Sequence, residues 1–112
     1  HAEFNPGKAY ALLAEKKPKE IVLIPGMELS TNAGHILAYG KSSEIYEIQE
    51  FYKKGLPLKK AASIAGEENI LLSVSHPWGF SHDSAAYLLG EKKLQAIVKK
   101  NVFPQVFHRV TD

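Results

Sequence analysis

The stretch IPGMELSTNAGHIL, residues 24 to 37, places one glutamate inside an apolar run and one histidine at the head of the next. A charge buried without a partner is costly, so Glu28 and His35 raise the question of a shared ligand. If residues 27–30 and 35–39 pair as a hairpin around a turn at 31–34, Ser30 faces His35, Leu29 faces Ile36 and Glu28 faces Leu37. His35 then lies diagonal to Glu28 on one face, a separation of roughly 7–8 Å that long side chains bridge. A carboxylate and an imidazole converging on one point is what a metal ion requires. The simpler alternative is a solvent-facing Glu28 on a half-exposed strand and a His35 that caps the turn.

His76 is a third residue of this kind. It follows the run LLSVS and precedes Pro77, whose fixed φ holds the end of the strand in place. Taken alone, it reads first as a structural histidine. Trp78 offers packing at the core or rim, or a flat platform for a substrate. His82 and Asp83 form either an exposed histidine beside a helix-capping aspartate or a hydrogen-bonded pair behind a ligand. His108 has no partner in the pattern and is read as structural. Oxygen and nitrogen donors of this type suit Zn, Mn or Fe rather than a soft metal.

These residues need elements to position them. Asn5-Pro6 is an N-cap followed by Pro at the first helical position, and Ala9, Leu12 and Leu13 give that helix one apolar face up to the stop at Lys16-Lys17-Pro18. Ile21 to Ile24 predicts a short buried strand, interrupted by Pro25-Gly26. After the hairpin, Ile45, Ile48, Phe51 and Tyr52 are spaced for a helix over 44–54. A second helix over 58–65 has Pro57 at its start and Gly66 as its C′ residue. Ile70 to Val74 predicts an apolar strand leading to His76. Asp83 or Ser84 caps a helix to about Lys100, and Val106 to Val110 predicts a last strand. Short apolar strands alternating with helices predict a parallel α/β arrangement, in which sites gather at the carboxyl ends of strands.

Composition narrows the function classes. At 112 residues the chain has the size of one domain, 1–112. Its 14 Lys and Arg against 12 Asp and Glu leave a net charge of +2, too small for a general field toward nucleic acid or membrane. Five lysine pairs, at 16-17, 53-54, 59-60, 92-93 and 99-100, read as solvated helix faces, or as a rim that attracts phosphate. The chain has no cysteine, which excludes disulfides and thiolate metal sites and fits a reducing, cytoplasmic compartment. No apolar run approaches the roughly 18 residues of a membrane span.

Two segments together, LIPGMELSTNAGHILAYG and LLSVSHPWG, resemble the polymerase and histidinol phosphatase (PHP) family of metal-dependent phosphoesterases. The family pattern has a glutamate in a PG-x-E-hydrophobic-S/T strand, a G-H-hydrophobic-L strand soon after, and a hydrophobic-x-H-P strand end. Glu28, His35 and His76 occupy those positions, and His1 fits the histidine of the family's T-D-H motif. The resemblance implies part of a distorted (β/α)7 TIM-like barrel, incomplete in this chain and completed by further segments or a partner copy. It also implies two or three divalent metal ions, with Glu28 bridging two of them and His35 and His76 binding one each. Ser75, Trp78 and His82 are then candidates for substrate contact. The family's opening D-hydrophobic-H-x-H and closing S/G-D-x-H motifs are absent.

The activity implied is hydrolysis of a phosphate mono- or diester by metal-activated water, on a phosphorylated small molecule or nucleotide. The alternatives are a non-catalytic PHP-like structural or regulatory module and an amidohydrolase-like metal hydrolase, whose carboxylated lysine has no place here. A nucleic-acid-binding domain has little support, because basic and aromatic residues do not interleave.

Overall fold

Between residues 26 and 39 the side chains alternate, and the alternation decides the architecture. A computed structural model describes residues 1–75 together with Gly90, Lys92, Lys93 and Ala96. Strands β1 (Gly26–Thr31) and β2 (Gly34–Tyr39) pair antiparallel with Glu28 opposite Leu37, Leu29 opposite Ile36 and Ser30 opposite His35. This is the register expected from the sequence. Thr31 and Gly34 form the last rung, and only Asn32 and Ala33 lie between them. Thr31 Oγ1 accepts from the Ala33 N–H (3.0 Å) and donates to the Gly34 carbonyl (2.6 Å). Gly34 takes the left-handed backbone, φ 92, that a side chain would strain.

Strand β3 (Leu71–Val74) pairs antiparallel with the other edge of β2, so the sheet order is β1-β2-β3. One face carries Met27, Leu29, Ile36, Ala38, Leu72 and Val74, all buried. Helix α2 (Leu58–Glu68) joins that core through Leu58, Ala61, Ala62 and Ala65. Phe51 and Ile45 complete it from the segment between β2 and α2. Phe51, Leu29, Ile36 and Leu72 are the largest fully buried side chains, each contributing about 1.5–3 kcal/mol by leaving water. Glu28, Ser30, His35, Leu37, Ser73 and Ser75 occupy the opposite face.

The expected parallel α/β architecture, part of a (β/α)7 barrel, is therefore overturned. The described residues form a three-stranded antiparallel sheet with two α-helices. A connection as short as Asn32-Ala33 can only reverse the chain, whereas parallel neighbours need a crossover of a dozen or more residues. Apolar and polar residues alternate along β1 and β2, which marks a sheet covered on one face and suits antiparallel pairing.

Three local expectations also change. Ile21 to Ile24 is not a strand: Val22 is 85% and Ile24 63% exposed, and β1 starts only at Gly26. The helix over 44–54 is two 3-10 helices, Ser43–Glu47 and Gln49–Tyr52, broken at Ile48. The Tyr46 carbonyl, which an α-helix would offer to residue 50, accepts the Tyr52 hydroxyl instead (2.6 Å). Helix α2 runs through Gly66 and ends at Asn69, which adopts φ 55 while the Ile70 N–H donates to the Ala65 carbonyl (2.8 Å).

Helix α1 (Pro6–Lys16) begins as expected, with the Asn5 side chain accepting from the Lys8 N–H (3.3 Å). Its apolar face stays open, since Leu12 and Leu13 are both exposed. The helix from residue 83 or 84 is described only at Lys92, Lys93 and Ala96, which are helical. The strand at 106–110 lies outside the described residues. Among the described residues, no helix is long and apolar enough to cross a membrane.

Candidate metal centre

Glu28 and His35 reach one face of the sheet from neighbouring strands, and the hairpin register puts them diagonal to each other. The imidazole Nδ1 of His35 lies 3.3 Å from Glu28 Oε1. Both side chains are 18% exposed, so the pair is largely withdrawn from water without being sealed off. His1 arrives from the short 3-10 helix Ala2–Phe4 that it precedes, and its Nε2 lies 2.8 Å from the same Oε1. The rings of His1 and His35 meet edge to face, centroids 4.9 Å apart at 82°. The rings of Phe4 and His1 are also roughly perpendicular, centroids 6.0 Å apart at 85°.

The other carboxylate oxygen is used as well. Ser75, immediately after β3, donates its hydroxyl to Glu28 Oε2 at 3.0 Å. Its own N–H donates to the His35 carbonyl at 3.1 Å, which continues the β2–β3 ladder one rung beyond Val74. Three residues from separate places in the chain, His1, His35 and Ser75, thus meet at the carboxylate of a fourth, Glu28.

A donor from each of His1, Glu28 and His35 falls in one group, all within 4.8 Å of one another. Around a tetrahedral ion with bonds of about 2.0–2.1 Å, neighbouring donor atoms stand about 3.3 Å apart. The His35–Glu28 separation equals that value, and the His1 nitrogen would have to withdraw by about 0.5 Å. Two imidazoles and a carboxylate are the donor set of Zn, Mn or Fe sites, so these residues fit a divalent ion.

The structure therefore brings together three of the expected site residues, His1, Glu28 and His35, with Ser75 beside them. His76, Trp78 and His82, like Asp83 and His108, lie outside the described residues. Ser75 was a candidate for substrate contact, but its hydroxyl is on Glu28. Ser73 and Ser75 stand two apart at the end of β3, the spacing that puts both on the polar face. That spacing assigns Ser75 to the polar face, while its meeting with Glu28, 47 residues away, depends on the pairing of the strands. Of the described paired lysines, all but Lys17 are exposed, and Lys54 pairs with Glu3 at 3.6 Å. They read as solvated faces.

A groove of about 300 Å³ opens beside His1, between α1 and the approach to β1; its walls include Phe4, Tyr10, Leu13, Ile24 and Tyr46. No family model, no curated protein and no solved structure matches the chain.

Proposed function

We propose that the chain carries the metal-binding part of a metal-dependent phosphoesterase with the ligand pattern of the PHP family. The observation behind the reading is the convergence of His1 and His35 on one oxygen of Glu28. Glu28, His35 and His1 are three of the positions that the family resemblance assigns to metal ligands, and they come from separate elements. Glu28 would hold the ion by Oε1, with His1 and His35 as the nitrogen donors. His76 follows Ser75 directly in the chain and is the further ligand that the resemblance assigns.

Held by His1, Glu28 and His35, a divalent ion would supply an activated water and positive charge for phosphoryl oxygens. The protein's own residues set the donor geometry and keep the carboxylate largely out of bulk water. The substrate class is a phosphate mono- or diester of a small molecule or nucleotide. Zn, Mn and Fe all suit the donors, and the family resemblance implies two or three such ions in the complete site. The compartment in this reading is the cytoplasm, supported by the absence of cysteine.

A second reading rests on the same distances. His1, His35 and Ser75 can each donate to Glu28, which satisfies the carboxylate without any ion and suits a non-catalytic module. Metal content and phosphate-ester hydrolysis, measured for the wild type and for Glu28→Gln, separate the two. The phosphoesterase reading expects the wild type to purify with or take up a divalent metal, and the variant to lose both metal and turnover. Equal metal and equal rates in the two proteins would end it.

A further inference from the structure

Ser75 touches both strands that carry candidate ligands. Through its N–H it holds the His35 carbonyl at 3.1 Å, and through its hydroxyl it holds Glu28 Oε2 at 3.0 Å. It is only 8% exposed, so bulk water competes little for either bond. A carboxylate that is free to turn about its terminal bond offers its two oxygens interchangeably. Glu28 is not free in this way: Oε2 is engaged by Ser75, while Oε1 faces the imidazoles of His1 and His35.

We propose that Ser75 is a positioning residue of the metal centre, an inference that rests on the metal reading above. Its hydroxyl anchors one oxygen of Glu28 so that the other is presented to the ion, and its backbone fixes His35 in register beside it. One residue thereby sets the relative placement of two ligands on adjacent strands. This role differs from substrate contact, because the hydroxyl proton already points at the glutamate. Partners that orient a metal ligand in this way change metal affinity by roughly ten- to hundred-fold when removed.

The test is calorimetric titration of Mn²⁺ and of Zn²⁺, separately, into the full 112-residue chain. The proteins compared are the wild type, Ser75→Ala, Ser75→Thr and Glu28→Gln. Positioning by the hydroxyl expects a roughly ten- to hundred-fold weaker affinity in Ser75→Ala, recovery of most of it in Ser75→Thr, and no binding in Glu28→Gln. A purely structural role would lower the melting temperature and leave the affinity of the folded protein alone. Unchanged affinity in Ser75→Ala, with binding lost in Glu28→Gln, overturns the positioning role and leaves the metal reading standing. Absence of binding in the wild type removes the metal reading and the positioning role together. Should Ser75→Ala not fold, Ser75→Cys keeps the size without the strong donor and is judged by the same fold-change.

Discussion

At the scale of single residues, the site and its support depend on a few atoms whose neighbours leave little freedom. Glu28 is one, with partners on both carboxylate oxygens. Gly26 is another, two residues earlier on the same face of β1. A Cβ at this position would stand 2.9 Å from the Ala38 carbonyl oxygen and 3.2 Å from a ring carbon of Tyr39. The Gly26 N–H and carbonyl are both bonded to the Tyr46 hydroxyl at 3.0 Å, so the strand cannot easily move aside. Gly26→Ala is therefore expected to destabilise the protein by about 1–3 kcal/mol, the range for forcing extra volume into a packed site. Urea denaturation measures it; a midpoint equal to that of the wild type would mean that the strand yields at no cost.

At the scale of elements, α2 and the β1–β2 turn hold each other. The Asn32 side chain accepts from the Leu58 N–H at 2.9 Å, which caps α2 from the turn, since Pro57 has no side-chain cap of its own. The Asn32 N–H also donates to the Leu56 carbonyl, and the Leu56 N–H to the Ser30 carbonyl. The hairpin that carries both strand ligands is thus tied to the helix that covers its other face. Within α2, Gly66 is exposed in the helix interior, and nothing lies within 4 Å of where its Cβ would be. Glycine there costs backbone entropy and meets no steric need, so Gly66→Ala is expected to stabilise by about 0.5–1 kcal/mol. A thermal melt checks the sign; a lowered melting temperature would show that α2 stops before residue 66 in solution.

At the scale of the whole molecule, stability is expected to fall in alkali. Burial raises the pKa of the Tyr46 hydroxyl above its ordinary 10.0, although its bond to the Gly26 backbone opposes the shift, and burial raises that of Tyr52 as well. Both hydroxyls lose their protons more readily in the unfolded chain. Their contribution is complete below the unfolded value and is lost as the pH rises through the raised folded values. Denaturation midpoints should drop as the pH rises past the ordinary tyrosine value of 10.0, and drop less when both tyrosines are replaced by phenylalanine. An equal loss in the two proteins would assign the effect to other groups.

How much of this was legible in the residues beforehand follows from the range of the forces involved. The Asn5-Pro6 start of α1 and the hairpin register depend on neighbours a few residues apart, and local chemistry was enough to read them. The pairing of Glu28 with His35 followed from that register alone. Other outcomes rest on partners distant in the chain. The hairpin fixed β1 and β2 as antiparallel, but the direction in which the 70–74 strand would join them stayed open until β3 docked on β2. Ile21 to Ile24 had the composition of a strand, but among the described residues no strand pairs with it, and Ile21, Val22 and Ile24 are exposed. The 3-10 geometry after β2 hinges on two tyrosine hydroxyls, one of which reaches back twenty residues to Gly26. Ser75 meets Glu28 across 47 residues of sequence, a contact that local patterning cannot encode because it exists only once three strands lie side by side.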